Sequence, residues 1–217
     1  RRETLRHIAE DYAMISHLDA QMGRIIDALE ETNQLDNTII VMAGDNGLAV
    51  GQHGLFGKQN CYDHSVRVPL IFAGPGLPEG ERTDSLAYLL DIYPTLCELT
   101  GLEQPESVEG SSLVPCIQTP DRELRPTLYF AYTDKHRAVR NDRFKLIEYV
   151  VDGAHTMTQL FDLENDPWEL ENLAADPASR GVLRELRGEM ARYREDWDDR
   201  ESPWGQTFWD ACKIDHG

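Results

Sequence analysis

The sequence predicts an α/β protein in two parts: residues 1–104 as the later portion of a larger α/β domain, and residues 105–217 as a connector leading into a small α+β domain with an antiparallel sheet. Three observations predict it. The opening segment carries apolar residues at helical spacing, and the stretch Thr38–Gly74 reads as two apolar strands joined by a long glycine-rich loop. Past residue 105, short runs rich in β-branched and aromatic residues are separated by turn signals.

Each element follows from its own residues. Ile8, Tyr12, Ile15, Leu18, Met22, Ile25, Ile26 and Leu29 recur every three or four positions up to about Thr32, which predicts a helix with one face for a sheet. Asp19 lies near that face and reads as a helix-surface carboxylate. "TIIVMAG", Thr38–Gly44, is a β-branched run ending in glycine, as expected of a strand buried on both faces of a parallel sheet. "VPLIFAG", Val68–Gly74, is a second strand. "SLAYLL", Ser85–Leu90, reads as a third, followed by a helix with Asp91 as N-cap, Pro94 in its first turn and Gly101 as its stop. That capping role accounts for Asp91 without catalysis.

"QPESVEGSSLVP", Gln104–Pro115, is the connector. Beyond it "TLYFAYT", "HRAVRN", "RFKLIEYVV" and "TMTQLFDL" predict the strands of the small sheet. Asp166, Pro167 and Glu169 read as a capping-box-like helix start. Asp176 and Pro177 repeat the signal for a helix presenting Leu183, Leu186, Met190, Tyr193 and Trp197 to the small sheet. The tail from Ser202 has no clear period, and its aromatics are expected to dock on the larger domain.

The loop between the first two strands carries the chemistry. It begins at a strand's carboxyl end, where open α/β sheets bind ligands, and it contains Asp45, Asn46, His53 and Lys58. Asp45 and Asn46 offer a carboxylate and an amide oxygen, which suit a hard divalent cation better than zinc. Lys58 is a cationic donor for an anionic group held near that metal. The bland alternative is a tight Asn-Gly turn, but a hairpin needs its second strand at once, and here about twenty residues intervene.

These residues carry a resemblance. Asp-Asn-Gly after a strand, then Gly-x-His-Gly, a Lys and Val-Pro-Leu-Ile resemble the sulfatases of the alkaline-phosphatase-like superfamily. The likeness continues through "LLDIYPTLCELTGLEQPESVEGSSLVP", "FKLIEY" and "LFDLENDPWELENL", to about residue 175. The resemblance implies the later half of an alkaline-phosphatase-like/sulfatase sheet domain followed by the small α+β domain. It places Asp45 and Asn46 on metal ligands, for Ca2+ with Mg2+ as the alternative, and Lys58 on the lysine that contacts the substrate sulfate. His53 matches the Gly-x-His-Gly position; it is a candidate catalytic group, with bracing of the loop as the other reading. Arg67 reads as a structural ion-pair partner. Asp63 and His64 could line a substrate pocket, or stand in a solvated loop.

The family also uses a formylglycine nucleophile, made from the Cys or Ser of Cys/Ser-x-Pro-x-Arg, and an early pair of metal-binding aspartates. Cys61, Cys97, Cys116 and Cys212 are followed by "YDHS", "ELTG", "IQTP" and "KIDH", so none fits that motif. The sequence opens without an initiator Met, which points to a start inside a longer polypeptide whose amino-terminal half is expected to hold the formylglycine. By itself the chain is expected to be inactive.

The net charge of −18 argues against a nucleic-acid partner. An acidic protein acting on an anionic ester needs a locally positive site, which a metal and Lys58 would supply. The four cysteines form no zinc pattern and read as buried thiols. No apolar run is long enough to span a membrane. The resemblance implies a periplasmic or secreted setting, which the residues themselves leave open. The expected partner is a small-molecule or carbohydrate sulfate ester, besides the chain's own amino-terminal half, with self-association into a homo-oligomer also open. Two other functions stay open: a phosphoryl or phosphonate hydrolase of the same superfamily, and a non-catalytic binding module with the same fold.

Overall fold

The computed structural model describes residues 2–214. A long helix, α1 (Arg2–Glu31), leads through a turn into β1 (Ile40–Ala43). A two-residue hairpin follows, β2 (Ala49–Val50) and β3 (Phe56–Gly57), then a single helical turn, α2 (Asp63–Val66), and β4 (Leu70–Ala73). The predicted opening helix is present with its predicted length. No residue on it is buried, however, and Tyr12, Ile15, Leu18 and Ile25 are all exposed. Its contacts include the β2–β3 hairpin, where His7 meets the edge of the Phe56 ring at 5.6 Å.

β1 is a strand as predicted, but its pairing is antiparallel, with Ile40 opposite Ala73 and Ala43 opposite Leu70. The apolar run suggests a strand buried on both faces, and hence a parallel sheet. Among the described residues these strands pair only with each other and remain partly accessible, so apolarity did not report strand direction.

The third predicted strand does not form: Ser85–Tyr88 has no regular secondary structure, and Leu89–Asp91 is a 3-10 turn. Helix α3 (Ile92–Thr100) ends at Gly101, whose φ of 70° makes it the left-handed stop that was expected. Asp91 stands at the helix start, yet its side chain makes no cap to α3. It is fully buried and receives the Arg125 guanidinium in a bidentate pair at 2.6 and 2.8 Å, with the Tyr88 and Ser111 backbone N–H groups donating to it. The Ser111 contact ties the connector, and the Arg125 pair the stretch after the short helix α4 (Val114–Gln118), to the segment before α3.

The small sheet is a four-stranded antiparallel meander: β5 (Leu128–Tyr132), β6 (His136–Arg140), β7 (Phe144–Val151) and β8 (Ala154–Asp162). All four predicted runs are strands. Both faces are covered, because alternate residues of β7 enter separate clusters. Leu146 and Val150 pack under α5 (Arg180–Asp196), with Leu186, Met190 and Tyr193, the stripe that the sequence predicted. Ile147 and Tyr149 face the opposite way, onto Cys61 and Tyr62 just before α2.

Asp166–Glu169 is a turn, not a helix. Glu169 adopts φ 57°, and its carboxylate points into the protein instead of capping. Helix α6 (Pro203–Ala211) overturns the expectation for the tail: Phe208 and Trp209 join the cluster of α5 and the small sheet. Asp199 fastens this segment. Its carboxylate accepts from Arg137 at 2.6 and 3.0 Å, from the Tyr129 hydroxyl at 2.7 Å and from the Trp209 indole at 2.7 Å. Gly205 is needed there, since a Cβ would lie 1.7 Å from the Asp199 carbonyl oxygen. The last three residues of the tail lie outside the described residues.

Candidate functional site

The loop after β1 is held by its backbone. The Gly47 N–H donates to the Ser65 carbonyl at 2.9 Å, and the Asn46 amide donates to the same oxygen at 3.4 Å. A Cβ on Gly47 would sit 2.0 Å from the His64 carbonyl oxygen, so only glycine allows this approach to α2. The β2–β3 hairpin then returns the chain, with Gly51 and Gly54 at positive φ and His53 between them at φ 52°. Its consequence is a side-chain meeting: Lys58 Nζ lies 3.4 Å from Asp45 Oδ2.

Both groups are accessible, the Asp45 side chain at 84% and that of Lys58 at 48%. The Asn46 backbone N–H, donating to Oδ1 at 2.7 Å, and then the Lys58 charge hold the Asp45 carboxyl below its ordinary range. The carboxylate is therefore ionised at neutral pH. Asp45 and Asn46 together form a hard oxygen donor set, which fits a divalent cation in kind. Two residues fall short of the six to eight oxygens that calcium takes, so further ligands have to come from elsewhere.

His53 does not join Asp45 and Lys58 in a hydrogen-bonded group. Its ring stacks on Tyr62, with centroids 4.0 Å apart and planes within 5°. Tyr62 in turn donates to Gln159 Oε1 on β8 at 2.9 Å. His64 lies 5.6 Å from both rings.

Beneath this loop is a buried ionic cluster that the sequence reading did not find. Lys145 on β7 is fully buried and donates to both Asp63 and Glu169, the latter at 2.7 Å. Glu169 also accepts the Asp63 backbone N–H at 2.6 Å, and Arg140 reaches Asp63 at 3.3 Å. Asp63 and His64 both line an open cleft between this loop and the turn after β8, but the Asp63 carboxylate is turned inward, where it anchors the start of α2 on the small sheet. Arg67 approaches it at 4.0 Å, the ion pair expected of that residue. "FKLIEY" marked Lys145 only as part of a strand, and Glu169 looked like a cap. A lysine whose partners lie 82 and 24 positions away leaves no local signal.

Burial alone would push the Asp63 carboxyl up, but the charge and hydrogen bond of Lys145, with Arg140 and Arg67, outweigh it and leave the group below its ordinary value. A carboxylate depressed in the folded state stabilises the fold above its unfolded pKa, about 3.9, and loses that contribution as pH falls through the lower folded value. Denaturation midpoints should therefore fall with pH below about 4, and Asp63→Asn should flatten that decline. A decline of unchanged steepness in the variant would remove Asp63 from the account.

Burial pushes the Cys61 and Cys212 thiols up to about 12, so neither is an activated nucleophile, and all four cysteines are buried and free. Among the described residues Glu148, His155 and Cys212 also bring ligand atoms within 4.8 Å of one another. The Glu148 carboxylate there is already taken by Arg187, Thr158 and His155. No described helix is long and apolar enough to cross a membrane.

Residues 51–196 match the family described as N-sulphoglucosamine sulphohydrolase, C-terminal. The chain is 35% identical over 207 residues to a choline-sulfatase of Rhizobium meliloti, covering 93% of this chain and 38% of that protein. Among solved structures it is similar, at TM-score 0.80 and 26% identity, to a protein in complex with its substrate D-glucosamine-2-N,6-O-disulfate, with 88% and 40% of the two chains covered. It is also similar to a phosphonate monoester hydrolase of Agrobacterium radiobacter, at TM-score 0.75 and 28% identity, covering 85% and 40%. The chain thus spans about two-fifths of the length of these relatives.

Proposed function

The chain belongs to the sulfatase family, and on that premise we propose that it is the carboxyl-terminal part of a metal-dependent enzyme that hydrolyses a sulfate ester. The observation that carries the reading is the meeting of Asp45, Asn46 and Lys58 at the end of β1. In this proposal Asp45 and Asn46 hold the cation, calcium before magnesium, and residues of the amino-terminal part complete its shell. The bound cation would supply neutralisation of charge on the sulfuryl oxygens.

Lys58 does the rest of that work from this chain. Its ammonium, half exposed beside the metal-binding carboxylate, donates to a sulfuryl oxygen and stabilises the charge that grows there as the ester bond breaks. With Asp45 engaged in holding a cation, the Lys58 ammonium, now 3.4 Å from that carboxylate, would be free to serve the substrate. His53, braced on Tyr62, lines the substrate side. The nucleophile is a formylglycine contributed by the amino-terminal part. We divide the chain into residues 1–104, carrying the site, and 105–217, carrying the small sheet on which the site loop rests.

A phosphonate or phosphoryl ester hydrolase is the second reading, favoured by the likeness to the Agrobacterium enzyme. The deciding experiment measures turnover of a chromogenic aryl sulfate and the matching aryl phosphonate by the polypeptide that carries this chain, with and without chelator. Faster sulfate turnover, lost on chelation and restored by calcium, is expected. Faster phosphonate turnover would favour the second reading, and turnover indifferent to chelation would remove the metal. Residues 1–217 alone should give background rates.

A further inference from the structure

The imidazole of His53 is oriented by a ring whose own position is set from the small sheet. The turn that carries His53 is closed by backbone bonds, with the Gly51 N–H donating to the Leu55 carbonyl at 2.9 Å and the Leu55 N–H to the Gln52 carbonyl at 2.8 Å. Those bonds fix the main chain but leave the imidazole free to turn about its side-chain bonds. Its ring contacts are the parallel stack on Tyr62, at 4.0 Å between centroids, and the more distant His64 ring at 5.6 Å. The Tyr62 face therefore decides where the imidazole lies.

Tyr62 is held at both ends. Its backbone N–H donates to Asn60 Oδ1 at 3.1 Å, and its carbonyl receives the Ser65 and Val66 N–H groups at the start of α2. At the far end its hydroxyl donates to Gln159 Oε1 at 2.9 Å, and the Tyr149 hydroxyl donates to the same oxygen at 2.8 Å. An amide oxygen has two lone pairs, so the two tyrosines fill it. Burial pushes the Tyr149 hydroxyl up, and it stays protonated and able to donate at neutral pH. Tyr62 and Tyr149 lie in the buried cluster of Cys61, Ile147 and Phe161, where little water can replace a lost acceptor. Gln159 stands opposite Ile147 on the neighbouring strand and two residues before Phe161, so the register of β8 brings its amide to this face.

Resting on the sulfatase reading above, in which His53 lines the substrate side, we propose that Gln159 is a positioning residue for the catalytic site: by holding the Tyr62 hydroxyl, it fixes the ring against which His53 is stacked. Gln159 touches no substrate, and its influence passes through Tyr62 to His53. The small sheet thus contributes an orienting group to a site carried on residues 1–104, from a position 97 residues beyond Tyr62.

The test is a double-mutant cycle in the polypeptide that carries this chain. Gln159→Met keeps the length of the side chain and removes the acceptor; it should lower kcat/KM for an aryl sulfate by about tenfold, less than the ~10²-fold that a displacement of about 1 Å can cost. Gln159→Glu keeps an acceptor oxygen and should restore most of the loss. In a His53→Ala background Gln159→Met should have no further effect, because the group it positions is gone. A purely structural residue would instead add its loss to that of His53→Ala. A second readout needs no turnover and so separates this proposal from the sulfatase reading. With the seven histidines isotopically labelled in the ring, the His53 protons, assigned through His53→Gln, should resonate upfield, because the Tyr62 ring current shields a ring stacked on its face. Tyr62→Phe and Gln159→Met should both move that signal toward the unstacked position, and Gln159→Glu should leave it in place. A signal unmoved in Gln159→Met, losses that add in the cycle, or His53→Ala kinetics equal to the parent's would overturn the proposal. If no ester is turned over, the sulfatase reading falls and the signal alone decides: its movement in Gln159→Met supports the positioning, and its constancy rejects it.

Discussion

Lys145→Met should lower the stability of the chain by ~3–5 kcal/mol, the cost of removing one partner from a buried ionic cluster. Lys145 is fully buried, and its ammonium is the charge shared by Asp63 and Glu169. Methionine fills nearly the same volume, so the loss is electrostatic and not a cavity. What remains is two carboxylates facing each other, one of them almost inaccessible, with only Arg140 and the distant Arg67 to compensate. That cost is a large fraction of the roughly 5–15 kcal/mol by which domains are stable. Urea denaturation followed by tryptophan fluorescence measures it. The triple variant Lys145→Met, Asp63→Asn, Glu169→Gln should recover much of the loss, because it removes the uncompensated charges along with the lysine. A single variant within 1 kcal/mol of the parent would show that the cluster is better hydrated than its burial implies.

That cluster also shows where sequence reading stops. β5 to β8 were legible because each run is short, β-branched or aromatic and bounded by turns, and the stripe Leu186, Met190, Tyr193 is strictly helical in period. Asp45, Asn46 and Lys58 could be named as candidates because residue type and order along one loop already define a donor set. The approach of Lys58 to within 3.4 Å of Asp45 depends on the β2–β3 hairpin, which the glycines around His53 allow. The direction of β1 was not legible, since an apolar run records burial and not the polarity of its neighbour. Local sequence makes caps of both Asp91 and Glu169: Asp91 from its place before a helix, Glu169 from a Pro and Glu spacing that matches a helix start. Each spends its charge on a cation far away in sequence, Arg125 for Asp91 and Lys145 for Glu169. Local pattern names a residue's nearest use, and tertiary partners override it when burial makes an unpaired charge costly.

In the polypeptide that carries this chain, Asp45→Ala and Lys58→Ala should fail in different ways. Asp45 provides the only full negative charge of the proposed ligand pair, so Asp45→Ala should abolish turnover of an aryl sulfate and, with it, the rise in melting temperature that calcium produces by binding the folded state. Lys58→Ala should leave the calcium-induced rise intact, or enlarge it, because the ammonium 3.4 Å from Asp45 competes with the cation for the same carboxylate. Its kcat/KM should fall by ~10²-fold or more, the scale of losing one preorganised donor to a developing charge. Lys58→Arg should recover only part of that, since the guanidinium fork does not place a single donor where the ammonium stood. Steady-state kinetics together with thermal melts across a calcium series read both variants. If both lose stability equally and calcium shifts each melt as it shifts the parent, the loop after β1 is structural and the assignment of Asp45, Asn46 and Lys58 falls.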